Sequence, residues 1–481
     1  MAKDTRGLTA TKVDDTAEWY EQVCLKSELA DFGPVKGTAV IRPRGYYIWE
    51  QIQQYFTINI LDKYEVDNAY FPLFIPESFF TREADHAEGF APELAWIATA
   101  NDDADLKKER AIIRPTSETL VLDSFKKWLQ TYKQLPMKIN QWANVVRWEV
   151  KQTKLFLRGR EFLWQEGHCL YADEESCDEE VQNIITAYST MCKDLLALPT
   201  IVGQKTEAEK FPGAKKTFTI ESLMHDGKAV QMGTSHNLGQ GFTKGFEVEY
   251  KGSDEKMHNP YYSSWGVSTR LIGAMVMTHS DDKGLILPPK LARQKVIIVP
   301  MSHKNNVDEI TAACAKLADE LSAFGAMVDD RDDYSLGWKL NEWELKGAPL
   351  VLILGGRELE AHSITLKMRD EDEKRTISLD KLSQTVSSEL ESMHTRLYEK
   401  ANAIAESKII TVKDKDEFAA VIAEGKVAKV LFCGEKACED AIEAEFNLTS
   451  RCISPEPVGQ DAKCVFSDKP AIGWVYFSRS Y

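Results

Sequence analysis

The chain has 481 residues, with 59 lysines and arginines against 75 aspartates and glutamates, a net charge of −16, and 43% hydrophobic residues. That composition excludes a mainly disordered chain, and the acidic balance argues against a protein that coats nucleic acid non-specifically, though not against a local basic groove. No apolar run reaches the roughly 18 residues of a membrane span, and no apolar segment follows the charges of the first residues, so neither a membrane anchor nor a secretory signal is expected.

The length predicts about three domains. Nine cysteines, an odd count, predict reduced thiols in a cytoplasmic protein. No internal repeat or low-complexity tract is present.

In chain order, residues 16–29 read as an amphipathic helix. A stronger helix starts at Pro43, with Ile48, Ile52, Tyr55, Phe56 and Ile60 on one face. Residues 68–72 read as a strand stopped by proline. Strands are expected at 111–114, 141–149 and 162–164. Strands with few intervening helices predict a mostly antiparallel sheet.

The pattern changes after Leu287-Pro288-Pro289. A buried strand (295–301), a helix (308–324) with Gly325 as its C-cap, and a second strand (349–354) read as a small α/β unit. There Ile364, Leu366 and Met368 alternate with Thr365, Lys367 and Arg369. A long helix (382–405) leads to a last unit with its own strand (427–432) and four of the nine cysteines.

Three clusters carry chemistry. Arg114-Pro115-Thr116-Ser117-Glu118 reads most simply as a turn and a helix start, with Thr116 or Ser117 capping. Arg147-Trp148-Glu149, a polar loop, and the run from Arg158 through Glu161, Phe162, Trp164 and Glu166 to His168 would aim alternate side chains into one pocket. Arginine forks suit carboxylate or phosphate there, and Phe162 could stack on a base. A hairpin laced by surface ion pairs is the plainer alternative. The stretch from Ser264 to Gly273 reads as a glycine turn entering a helix, with Arg270 near its start, where the dipole disfavours a cation unless an anion is bound.

Taken together, the clusters resemble the three signature motifs of the class II aminoacyl-tRNA synthetases: the helix and strand ending at Pro72, the Arg147–Phe162 hairpin, and the turn ending at Arg270. Arg114-Pro115-Thr116-Ser117-Glu118, Trp164-Gln165-Glu166-Gly167-His168 and Gly233-Thr234-Ser235-His236 narrow the resemblance to the prolyl-tRNA synthetases of the archaeal and eukaryotic-like type. It covers nearly the whole chain, from the catalytic motifs through Gly337-Trp338-Lys339 to the terminal Arg479-Ser480-Tyr481.

The resemblance implies an α+β architecture: an N-terminal extension (1–35), an antiparallel-sheet catalytic domain (36–288), an α/β anticodon-binding domain (289–400) and a small α/β C-terminal domain of zinc-binding type (401–481). It implies ATP-dependent ligation of L-proline to the proline tRNA through a prolyl-adenylate, releasing pyrophosphate and AMP. Arg147, Arg158 and Arg270 are the expected catalytic cations. Arg147 would hold the α-phosphate and the proline carboxylate, and Arg158 and Arg270 the γ-phosphate end of a bent ATP. Glu149, Phe162, Gln231 and Thr234 would complete the nucleotide site, with Mg2+ bridging phosphate oxygens. Thr116 and Glu118 match positions that bind proline's nitrogen. Trp164, Glu166, His168 and His236 match the pocket wall, although a histidine such as His236 is more often structural when it stands alone. The interval from His168 to Trp265 is too short for the editing insertion of bacterial-type relatives.

In the α/β unit, Arg331, Trp338, Glu344 and Lys346 are the anticodon candidates, because unstacked guanines favour stacking and charged partners. Surface charges beside a core tryptophan are the alternative. In the last unit Cys433, Cys438 and Cys464 match zinc ligands of relatives. The family's fourth cysteine is missing after Cys464, and Cys452 is a candidate substitute; a metal-free domain with buried thiols stays open. A homodimer is expected from motif one. The competing readings are a sister class II enzyme and a paralogue that binds RNA without activating an amino acid.

Overall fold

The computed structural model describes residues 7–79, 94–98, 108–148, 152–301, 305–467 and 469–481. Two sheets organise it. The larger has eleven strands, in the order Ile409–Thr411, Val427–Phe432, Gly473–Ser478, Thr449–Ile453, Ile201–Gln204, Lys216–Leu223, Ala229–Gly239, Tyr261–Ser268, Glu161–Tyr171, Met137–Val146 and Asp67–Asn68. Its pairings are antiparallel except at the two outer edges. The smaller sheet has five strands, with Val296–Met301 flanked in parallel by Met327–Val328 and Leu350–Gly355, and Ser363–Met368 and Lys374–Ser378 completing it antiparallel.

The first helix is Thr16–Lys26, shorter than its periodicity promised because Asp15 caps it by accepting from the Glu18 N–H and the chain turns at Ser27. The second, Pro43–Phe56, has proline in its first turn, where the missing N–H costs nothing. It widens to a π-type turn at Thr57–Leu61 and keeps Ile48, Trp49, Ile52, Phe56 and Ile60 buried. These side chains meet helix Glu174–Leu196, which crosses the back of the large sheet and contributes Ile184, Ile185, Tyr188 and Met191 to the same core. Fully burying each such side chain stabilises the fold by about 1.5–3 kcal/mol.

Several expected elements shift. The strand expected at 162–164 runs over all of Glu161–Tyr171. The one expected at 68–72 is only Asp67–Asn68, because Gln141 captures the Phe71 N–H through its side chain. The helix expected to Phe324 is Val307–Glu320 followed by a tighter turn, and Gly325 (φ 61°) ends it as read. The segment 264–268 is no glycine turn but the end of a strand, and helix Arg270–His279 begins directly after Thr269. Arg369, read as an outward residue of an alternating strand, is buried: its fork donates to both carboxylate oxygens of Asp281 at 2.9 and 2.6 Å and ties the two sheets' units together.

The last unit is continuous with the large sheet. Ile453 pairs with Gln204, and the chain end returns to Ala229 through the Tyr481 N–H. Between His168 and Trp265 the chain is spent on sheet strands, helix Glu174–Leu196, the short helix Gly241–Gly245 and a two-stranded ribbon of Tyr250–Lys251 and Met257–His258.

Candidate active site

Four strands form the floor of a cavity of about 300 Å³. Strand Glu161–Tyr171 supplies Phe162, Trp164, Glu166 and His168, every second residue, so one face of the pleat lines the cavity. Gly167 has to be glycine: a Cβ there would meet the Trp265 ring at 2.2 Å. The Ala229–Gly239 strand, separated from Glu161–Tyr171 by Tyr261–Ser268, contributes Gln231, Thr234 and His236. A strict alternation would put Gln231 and Thr234 on opposite faces. A bulge between Gln231 and Gly233 adds one residue and brings both to the cavity.

Arg114 does not reach the cavity. Its guanidinium is buried and donates to the carbonyls of Asn144 (2.8 Å) and Phe71 (2.7 Å), and so fixes the loop that follows. That loop delivers Thr116 and Glu118, hydrogen-bonded to each other. Neither Thr116 nor Ser117 caps the helix that starts at Glu118. Instead Ser117 donates to Glu166 Oε1 at 2.6 Å, where Gln141 Nε2 also donates at 2.8 Å, and Glu166 Oε2 faces His168 Nε2 at 3.2 Å. Burial pushes the Glu166 carboxyl up, but His168 and these donors outweigh it and hold it below the usual range. His168 is fixed in turn by Tyr262, 2.6 Å from its Nδ1. His236 is buried against Phe211, with Thr217 Oγ1 3.0 Å from its Nδ1, and burial drives its pKa down to about 3.

The three expected cations fall into two groups, Arg147 with Arg270 in this cavity and Arg158 in an adjoining one. Arg270 donates to the carbonyls of Leu157 and Gln231, each at 3.1 Å, and burial, then Arg147, pull its pKa down to about 10. Arg147 is steadied by the Pro115 carbonyl (3.1 Å) and lies over the Phe162 and Trp164 rings at 5.7 and 5.5 Å. Arg158 is exposed and lines an adjoining cavity whose wall includes Phe162. Glu149 lies outside the described residues.

The pocket is built for a ligand with polar edges. Trp164 and Ser264 lie on its wall, and Trp164 Nε1 and Ser264 Oγ are buried with no hydrogen-bond partner among the described residues. Sequence reading missed the wall formed by Lys205, Glu209, Lys210, Phe211 and Pro212. The one signal was an aromatic residue set beside a Pro-Gly turn.

Three family models match the chain: the tRNA synthetase class II core domain at residues 100–279, an anticodon-binding domain at 295–389 and a prolyl-tRNA synthetase C-terminal domain at 415–481. The proline–tRNA ligase of Alkaliphilus oremlandii is 46% identical over 97% of this chain and 96% of its own length. Proline–tRNA ligase 2 of Clostridioides difficile is 42% identical over the full length of both. The chain belongs to the prolyl-tRNA synthetase family. Two solved prolyl-tRNA synthetase structures from Cryptosporidium parvum, one with halofuginone and AMPPNP and one with L-proline and AMP, superpose with a TM-score of 0.94 at 38% identity. They cover 99% of this chain, which covers 100% and 97% of theirs. As a prolyl-tRNA synthetase, the chain charges the proline tRNA at the expense of ATP.

In a prolyl-tRNA synthetase the small sheet's unit meets the anticodon. Here Tyr334 and Trp338 stack at 3.7 Å, and Arg331 lies over both rings at 5.2 and 5.1 Å while donating to Asp329 and Glu342. Lys346 joins that stack through Glu342, which it shares with Arg331, and Glu344 pairs elsewhere. Glu344 accepts from Lys367 at 3.0 Å, and Lys346 pairs with Glu342 at 2.9 Å and with Glu28 of the N-terminal segment at 3.3 Å.

The thiols of Cys433, Cys438 and Cys464 lie within 4.8 Å of one another, the only group of three or more potential metal ligands among the described residues. Cys452 is not part of it. Its strand turns that thiol toward Gly203, Leu223 and Tyr476, into the seam with the large sheet. Among the described residues, no helix is long and apolar enough to cross a membrane.

Proposed function

We propose that the 300 Å³ cavity is where prolyl-adenylate forms, with Arg147 set between the two substrates. The observation that carries this reading is the shared wall: Arg147 and Arg270 line the same recess as Thr116, Glu118, Glu166, His168 and His236. The proline carboxylate attacks the α-phosphate, the bond to the bridging oxygen breaks, and pyrophosphate leaves. Both reactants are anions, so the residues' work is to offset their repulsion and orient the attack. Arg147 bridges carboxylate and α-phosphate. Arg270, with Arg158 from the adjoining cavity, holds the far phosphates of a bent ATP. Phe162 and Arg270 sandwich the adenine, Glu149 meets its amino group, and Gln231 and Thr234 face the nucleotide. Thr116 and Glu118 hold the ammonium, while Trp164, Phe211 and neutral His236 wrap the ring. No general base is needed, because the attacking carboxylate is already ionised. The 3′-hydroxyl of the tRNA's terminal adenosine then attacks the prolyl carbonyl, the acyl–phosphate bond breaks, AMP leaves, and the hydroxyl proton goes to the departing phosphate or to water. Glu118→Gln tests the assignment: KM for proline rises at least tenfold while KM for ATP holds, and equal loss for both substrates would contradict it.

Mg2+ would be held mainly by the ATP phosphates, as a hard cation that keeps several waters and needs few protein ligands. It supplies charge neutralisation at the phosphates.

The Tyr334–Trp338–Arg331 stack supports anticodon reading by base stacking beside a guanine-seeking fork, with Glu344 and Lys346 acting at its margin. The three clustered thiols suit zinc in donor type and fall one short in number. The Ser467 hydroxyl interacts with the Cys433 and Cys464 thiols. One zinc per chain by elemental analysis, lost in Cys433→Ser, would establish the site, and none would leave a metal-free domain. The exposed Tyr70 and Phe74 beside motif one support a homodimer, which sedimentation tests. Nine free cysteines, eight of them buried, accord with the reducing cytoplasm.

We further read the units as 1–35, 36–288, 289–400 and 401–481, with the last docked edge-on to the catalytic sheet.

A further inference from the structure

Glu221 lies one strand from the nucleotide wall. It sits opposite Gln231 in the sheet register, and the Gln231 carbonyl receives Arg270 Nη1 at 3.1 Å. The Glu221 side chain is fully buried, and an isolated carboxylate there would cost several kcal/mol and would repel a triphosphate. Three partners satisfy it. Lys205, itself on the cavity wall, donates to Oε1 at 2.8 Å, and Thr219 donates to the same oxygen at 3.1 Å. The third is Arg451, whose Nη2 reaches Oε1 at 3.3 Å and Oε2 at 3.2 Å.

Arg451 comes from the C-terminal unit, 230 residues away in sequence. It reaches the site because Thr449–Ile453 extends the catalytic sheet next to Ile201–Gln204. The same seam carries Thr206, hydrogen-bonded to Glu439 and Ser450 of the C-terminal unit at 3.0 Å each. Three further acids stand near: Glu439 and Glu443 of the C-terminal unit and, on the cavity loop, Glu209. Removing Arg451 therefore makes the floor beneath the nucleotide one charge more negative, among acids already present.

We propose that Arg451 is a positioning residue of the ATP site: by sharing the buried Glu221 carboxylate with Lys205, it leaves this cluster with a net positive charge and keeps the floor beside Arg270 receptive to phosphate. The proposal rests on the reading of this cavity as the ATP pocket. It explains why a unit with its own core is docked edge-on to the catalytic sheet through buried charges rather than apolar contact alone.

Proline-dependent ATP–pyrophosphate exchange on the full chain tests it. Arg451→Met raises KM for ATP about tenfold and moves KM for proline less than about twofold, and Arg451→Lys recovers most of the loss. The double variant Glu221→Gln with Arg451→Met removes one charge of each sign, so the local sum is native and KM for ATP returns to within about threefold. A folded Arg451→Met with native KM for ATP, whatever its melting temperature, overturns the proposal, as does a double variant no better than the single one. Should Arg451→Met fail to fold, the double variant alone decides: a KM for ATP near native supports the coupling, and one raised tenfold overturns it. Arg270→Lys run alongside separates the two levels. If it too keeps a native KM for ATP, the cavity assignment fails; if only the Arg451 variants do, the coupling fails.

Discussion

Ser117 Oγ donates a 2.6 Å hydrogen bond to Glu166 Oε1, joining the loop that carries Thr116 to the strand that carries Trp164 and His168. With His168 and Gln141, the bond helps hold the buried Glu166 carboxylate ionised and oriented. Ser117→Ala leaves the carboxylate one donor poorer, a loss of about 1.5–3 kcal/mol for a bond to a charged group. kcat/KM for proline should fall by about 10–100-fold in ATP–pyrophosphate exchange, with KM for ATP nearly constant.

Arg270→Lys should be severe. A lysine cannot hold the Leu157 and Gln231 carbonyls in one plane and still offer a fork to phosphate. Exchange activity should drop at least about 100-fold. Binding of the proline tRNA, measured by filter retention, should persist because the anticodon unit is untouched.

Arg114→Met should act on folding rather than on substrate. The variant strands the carbonyls of Phe71 and Asn144 inside the protein, at about 1–3 kcal/mol each. Denaturant unfolding should show the loss, and a variant as stable as the parent would contradict this role.

Two buried histidines set an acid limit. Burial lowers His236 to about 3 and His279 to about 4, while both titrate near 6.5 when unfolded. The unfolded chain then binds more protons, so stability is full above about pH 6.5 and is lost as pH falls toward 4. The slope from the pair reaches about 2.7 kcal/mol per pH unit midway. His279→Gln should roughly halve that slope in unfolding titrations from pH 6.5 to 4.5.

The legible part of this site was periodic. Phe162, Trp164, Glu166 and His168 recur every second residue, so a strand assignment alone faced them into one cavity. Gln231 and Thr234 break that period, and only the bulge between them reconciles their shared face, a backbone irregularity with no side-chain signature. Ser117 was read as a cap because local hydrogen bonding is what sequence shows, whereas its partner Glu166 is 49 residues away. Lys205 and Arg451 were invisible for the same reason: what makes them functional is a sheet contact between distant strands. Lys346 looked free for RNA, yet Glu342 and Glu28 engage it. In the smaller sheet the alternation of Ile364, Leu366 and Met368 was right, and Arg369 escaped it through a charge partner, Asp281, in another unit.

The most direct measurement compares amino acids in ATP–pyrophosphate exchange on the purified chain: proline against threonine, glycine, alanine and cysteine. The proposed proline subsite beside Arg147 and Arg270 predicts strong exchange with proline, weak exchange with alanine and cysteine, whose small size limits discrimination, and none with threonine or glycine. Exchange driven by threonine or glycine, or by no amino acid at all, would contradict the account.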